Sequence, residues 1–125
     1  MGQIIGIDLG TTNSVAAFMD GDEPRIIPND RGGHLTPSIC SITETGDVLV
    51  GETAKNQAVV NAERTVLHVK RSMGDAERIR IGDRNYSPEE ISSYILSHIK
   101  SYAESYLGTR VKEAVITGPA RFSEA

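Results

Sequence analysis

Ile4-Ile5-Gly6-Ile7-Asp8-Leu9-Gly10-Thr11-Thr12-Asn13-Ser14 is the stretch on which the fold reading turns. An apolar β-like run ends in a carboxylate, a tight turn of one glycine and small polar residues follows, and a second β run starts at Ser14. The unit is strand, turn, strand. A phosphate loop of the strand-to-helix kind needs a lysine beside Ser or Thr at a helix start, and no such pair stands here. The three spaced glycines of a dinucleotide fingerprint are missing too. What this turn can do is present the N–H groups of Gly10 to Asn13 and two hydroxyls to an anion, for which a phosphate chain is the natural guest. Asp8 would repel phosphate unless a hydrated cation stood between them, so the pairing points to a metal–phosphate ligand. Gly, Thr and Asn are also ordinary hairpin residues. The residues alone leave both readings open.

Working outward, the runs Gln3 to Asp8, Ser14 to Met19, Arg25 to Pro28 and Ser38 to Thr43 are rich in Ile and Val and are separated by turn residues, which predicts an antiparallel meander. Val48-Leu49-Val50 reads as a further short strand, and Thr53 to Val60 carries Ala54, Ala58 and Val59 at helical spacing. Arg78 to Arg84 alternates polar and apolar before a Gly-Asp turn, the pattern of a half-buried strand entering a hairpin. Ser87-Pro88-Glu89-Glu90 then supplies a capping hydroxyl, a proline at the first helical position and a capping-box Glu, and Gly108 stops the helix. Between them Ile91, Ile95, Ile99, Tyr102, Ala103 and Tyr106 form one stripe, while Ser93, Lys100 and Glu104 face water. Ala114-Val115-Ile116-Thr117 reads as a buried strand stopped by Gly118-Pro119.

The 125 residues suit one domain, and Leu, Ile, Val and Phe make up about a quarter of them, above the roughly 20% below which chains stay disordered. Thirteen Lys and Arg against seventeen Asp and Glu, interleaved along the chain for a net charge of −4, give no basic patch for nucleic acid. A lone cysteine, Cys40, makes no intrachain disulfide and reads as a small buried hydrophobe. There is no signal-peptide start and no run of membrane-spanning length, which together with the single thiol point to the cytoplasm. His34 and His68 have no second ligand at metal spacing, and His98 sits on a helix edge.

Ile7 to Ser14 resembles the first phosphate motif of the actin-like ATPase superfamily, in the form typical of DnaK-type chaperones of the seventy-kilodalton heat-shock family. Thr36-Pro37-Ser38, Val50 to Lys55, Val69 to Gly74, Ser87 to Ser92, Tyr106-Leu107-Gly108 and Ala114 to Thr117 agree with the same family, in order and over nearly the whole chain. The resemblance implies an α/β fold with a ribonuclease-H-like sheet, an incomplete mixed sheet belonging to the ATPase's first lobe. Residues 1–38 and 87–125 would form the core subdomain and 39–86 a smaller inserted one. Gly10, Thr11, Thr12 and Asn13 would hold the β and γ phosphates of ATP or ADP, and Asp8 would belong to the shell of Mg²⁺ and of a monovalent cation such as K⁺. Lys70 would approach the γ phosphate and place the attacking water, a task that suits its compact charge. Without the family, Lys70 is a lysine beside an arginine, in the pattern of a solvated surface pair.

The same resemblance implies an ATP-dependent chaperone of unfolded polypeptides, with a J-domain co-chaperone and a nucleotide-exchange factor as partners. The family's second phosphate motif, adenosine motif and peptide-binding domain are not in these 125 residues, so the piece by itself is expected to turn over no ATP. Gly118 and Arg121 stand where the family has a β-branched residue before its proline and an aromatic two positions after it, which is expected to loosen the coupling that Pro119 would transmit. A sugar kinase or filament-forming ATPase of the same superfamily would share Asp8 to Thr12, and a non-catalytic truncated module is a further alternative; Lys70-Arg71 and Ser72-Met73-Gly74 favour the chaperone.

Overall fold

The computed structural model of the chain describes residues 3–67 and 78–117. In chain order the elements are β1 (Gln3–Leu9), β2 (Asn13–Asp20), β3 (Glu23–Ile27), β4 (Thr36–Pro37), β5 (Cys40–Ile42), β6 (Val48–Val50), α1 (Glu52–Val60), a 3₁₀ turn (Ala62–Arg64), β7 (Thr65–Val66), β8 (Ile79–Ile81), β9 (Arg84–Tyr86), α2 (Pro88–Leu107) and β10 (Val111–Thr117). The main sheet has the order β10-β1-β2-β3, with β4 added at the start of β2. β1 runs antiparallel to β2 and parallel to β10, so the sheet is mixed. A parallel pair needs a crossover. Here everything between the second strand and α2 is carried within that crossover, and α2 returns the chain to the sheet.

Strand alternation sorts β1 into two faces. Ile5, Ile7 and Leu9 are buried with Ile91, Ile95 and Ile99 of α2 in one core, and full burial of such a side chain contributes about 1.5–3 kcal/mol. Ile4, Gly6 and Asp8 occupy the other face. α2 begins with the expected capping box: Ser87 accepts from the Glu90 amide, and the Glu90 carboxylate accepts from the Ser87 amide, both at 3.0 Å. Gly108 ends it in the left-handed conformation, φ 70°, with its amide bonded to the Glu104 carbonyl. The β8–β9 hairpin also forms where the alternating residues predicted it, turning at Gly82 and Asp83.

Several sequence expectations need correction. The run Ser38 to Thr43 does not complete a four-strand meander. Only Thr36 and Pro37 pair with β2, and Cys40 to Ile42 become the centre of a separate sheet, order β6-β5-β7. Pro37 has no amide to extend a ladder, and Cys40, Ser41 and Ile42 are all buried, as befits a strand paired on both sides. In α1 only Ala54 is buried, while Val59 is 86% exposed, because it lies about 100° round the helix from Ala58. Tyr106 falls out of the α2 stripe and is exposed. β10 forms, but it is not buried: only Val111 is, and among the described residues nothing pairs with its outer edge. Lys70, His68, Gly118, Pro119 and Arg121 lie outside the described residues.

Candidate functional site

The turn at Gly10 to Asn13 sits at the end of the β1–β2 hairpin. Leu9 pairs with Ser14, the Gly10 amide donates to the Asn13 carbonyl at 3.1 Å, and Thr11 and Thr12 form the loop. Two-residue hairpin loops close most readily with residues at positive φ, whose twist matches the strands. Thr11 and Thr12 both keep negative φ. The loop is held from outside instead: the Ser38 amide donates to the Thr12 carbonyl at 2.9 Å. Among the described residues nothing accepts from the amides of Thr11 or Thr12. Gly10 is fixed by sterics, since a Cβ there would collide with the Asn13 carbonyl oxygen.

Asp8 stands two residues before Gly10, exposed, on the sheet face away from α2. The register sets Val15 on one side of it and Thr117 on the other. Asp8, Gly10, Thr11, Thr12 and Asn13 therefore share one end of the main sheet, and Thr117 joins them there. Thr117 went unnoticed in the sequence because only the β1–β10 register brings it beside Asp8. No group of three His, Cys, Asp or Glu gathers among the described residues. Asp8 offers one carboxylate beside the turn, which suits Mg²⁺ bound to a phosphate chain, because this ion keeps several waters and needs only one or two carboxylates besides phosphate oxygens. The residues present thus fit a magnesium–phosphate ligand: free amides and hydroxyls for the anion, one carboxylate for the cation.

The remaining titratable groups do other work. Cys40 is fully buried in β5, and burial pushes its thiol up to about 12, which leaves it an inert apolar filler. Burial also raises the Tyr102 phenol, against the hydrogen bond from Thr36, and the nearby charge of Asp30 raises it further. His98 on α2 lies 3.5 Å from the Asp30 carboxylate, and His34 is exposed. The Glu104 carboxyl is held below its usual range, first by the Val111 amide that donates to it at 2.8 Å and then by Lys100 at 3.3 Å. No helix among the described residues is long and apolar enough to cross a membrane.

The family model described as Hsp70 protein matches residues 4–80 and 76–125, and so takes in the main sheet, the β6-β5-β7 sheet, the β8–β9 hairpin, the turn at Gly10 to Asn13 and the long helix. Match and mixed sheet agree: this chain belongs to the Hsp70 family of chaperones, whose nucleotide-binding part has the actin-like ATPase fold.

Proposed function

We propose that the chain supplies the first phosphate-binding turn and the catalytic lysine of a DnaK-type, ATP-dependent chaperone working in the cytoplasm. The observation that carries this reading is the pair of amides at Thr11 and Thr12 that meet no acceptor among the described residues, three and four residues beyond Asp8, in a turn closed by Gly10. In this reading Gly10, Thr11, Thr12 and Asn13 grip the β and γ phosphates through amides and hydroxyls. Asp8 faces the Mg²⁺ and K⁺ that accompany them. When bound, Mg²⁺ would supply charge stabilisation to the phosphoryl oxygens, with Asp8 in its shell.

Lys70 completes the arrangement as a point charge beside the terminal phosphate, orienting the attacking water and meeting the negative charge that shifts onto oxygen. Residues 1–38 and 87–125 act as the core subdomain and 39–86 as the smaller one, with the chain leaving the main sheet just after Pro37. Unfolded polypeptides, a J-domain co-chaperone and a nucleotide-exchange factor are the partners of the ATPase in this reading.

Titration of the ¹⁵N-labelled chain with magnesium ADP tests it. Shifts should concentrate on the amides of Gly10 to Asn13 and be lost in Gly10→Val. Shifts scattered over the surface, or unchanged in that variant, would remove this turn as the phosphate site.

A further inference from the structure

Resting on the reading of Gly10 to Asn13 as a phosphate turn, we infer that Ser14 and Ser38 are positioning residues for it. Their hydroxyls meet at 2.8 Å in the interior, with Ser14 0% and Ser38 3% exposed. Ser14 follows the turn directly, at the start of β2. Ser38 follows β4 and reaches the turn a second time through its amide, which donates to the Thr12 carbonyl at 2.9 Å.

Asn13 is therefore flanked on both sides by bonds to one residue, Ser38, which lies 24 positions beyond Ser14. The pairing of Asn13 with Pro37 and of Ser14 with Thr36 sets Ser38 beside the turn. Pro37 brings no amide of its own, so the next residue supplies the donor. Two features make the tether necessary. The negative φ of Thr11 and Thr12 departs from the twist that closes a two-residue loop unaided. The amides that would bind phosphate must also stay free of partners within the protein, and a loop closed by the single Gly10–Asn13 bond keeps its shape only if something outside it adds further bonds.

Ser38 is also the point where the chain leaves the main sheet, two residues before β5 begins the second sheet at Cys40. The hydroxyl pair thus fixes the aim of the Thr11 and Thr12 amides relative to the base of the second sheet. Neither serine touches the phosphate in this assignment; both act through the backbone of Thr12 and Asn13.

The test separates this role from plain stability by using Ser14→Ala, Ser38→Ala and the double variant in the full 125-residue chain. Each single change strands a buried hydroxyl, whereas removing both leaves neither without a partner. Thermal midpoints should accordingly fall in each single variant and largely recover in the double. Affinity for magnesium pyrophosphate, followed at the Thr11 and Thr12 amides by NMR, should stay about three- to tenfold weaker in all three, the equivalent of one net hydrogen bond. Wild-type affinity in the double variant would reduce the pair to a structural contact and overturn the inference, as would normal binding in both singles. A wild-type chain whose turn amides ignore saturating magnesium pyrophosphate would overturn the phosphate reading itself, a result distinct from either.

Discussion

The hydroxyl of Tyr102, on the inner face of α2, meets the hydroxyl of Thr36 in β4 at 3.0 Å across 66 positions of chain. Both residues are buried, and the Asn29 side-chain amide approaches the same Thr36 oxygen at 3.4 Å. The contact joins the long helix to the two-residue strand beside the Gly10 to Asn13 turn. Tyr102→Phe removes one hydroxyl and leaves Thr36 with only the longer bond, which should destabilise the chain by about 1–3 kcal/mol. Adding Thr36→Val should recover part of that loss. Denaturant unfolding of both variants checks this, and equal stability of wild type and Tyr102→Phe would mean that the contact contributes nothing.

The elements most readable from the residues are those with local causes. The capping box at Ser87 and Glu90, the stop at Gly108 and the turn at Gly82 need no knowledge of distant neighbours, and each stands where the sequence put it. The turn after Asp8 was readable as a candidate anion cradle for the same reason. What the sequence could not disclose depends on partners far away. Nothing in Ser38 to Thr43 says that the run pairs with Val48 to Val50 instead of continuing along the first sheet. The apolar look of Ala114 to Thr117 gave no warning that α2 covers β1 and leaves β10 exposed. Ser14 and Ser38 were each just a serine until the fold brought their hydroxyls together. Tyr106 leaves the buried stripe on α2: it is 54% exposed, and its ring meets Phe18 edge-on, while Leu107 beside it packs against the core.

Gly10→Ala tests how tightly the turn is specified. The added methyl would collide with the Asn13 carbonyl oxygen, which is also the acceptor of the Gly10 amide, so the loop must open to admit it. Overpacking of this kind costs about 1–3 kcal/mol. The thermal midpoint should fall, and magnesium ADP binding at the turn should be lost even where the variant is fully folded. Calorimetry beside nucleotide titration measures both. A folded Gly10→Ala chain that binds like wild type would show that the close approach is not required.

In the proposed ATPase, Lys70→Ala should reduce hydrolysis far more than nucleotide affinity. The proposed role meets charge that develops in the transition state, so the loss should fall on kcat with KM little changed. One electrostatic donor of this kind is worth about 10²- to 10³-fold in kcat. Single-turnover hydrolysis and equilibrium ADP binding separate the two effects. If affinity fell by that factor while single-turnover hydrolysis stayed normal, Lys70 would be a binding residue only.

Glu104 links the end of α2 to the start of β10, and its carboxylate gives that link a pH dependence. The Val111 amide donates to it at 2.8 Å and Lys100 sits at 3.3 Å, so the charged form is favoured in the folded chain and the carboxyl titrates below its ordinary value. A group whose folded pKa is depressed stabilises the fold fully above its unfolded value, about 4.3 for Glu, and loses that contribution as pH falls from there through the folded value. Glu104→Gln keeps a carbonyl oxygen for the Val111 amide but carries no charge at any pH. The variant should therefore be less stable than wild type at neutral pH, and the gap should narrow as the solution is acidified below about pH 4.3. Salt should narrow it too, through the Lys100 part of the interaction, while leaving the Val111 hydrogen bond in place. Urea unfolding of both chains at pH 7, and at points on either side of the ordinary glutamate pKa, gives the two curves. A gap that stayed constant across that range would assign Glu104 a neutral packing role and remove its charge from the account of how helix and strand are joined.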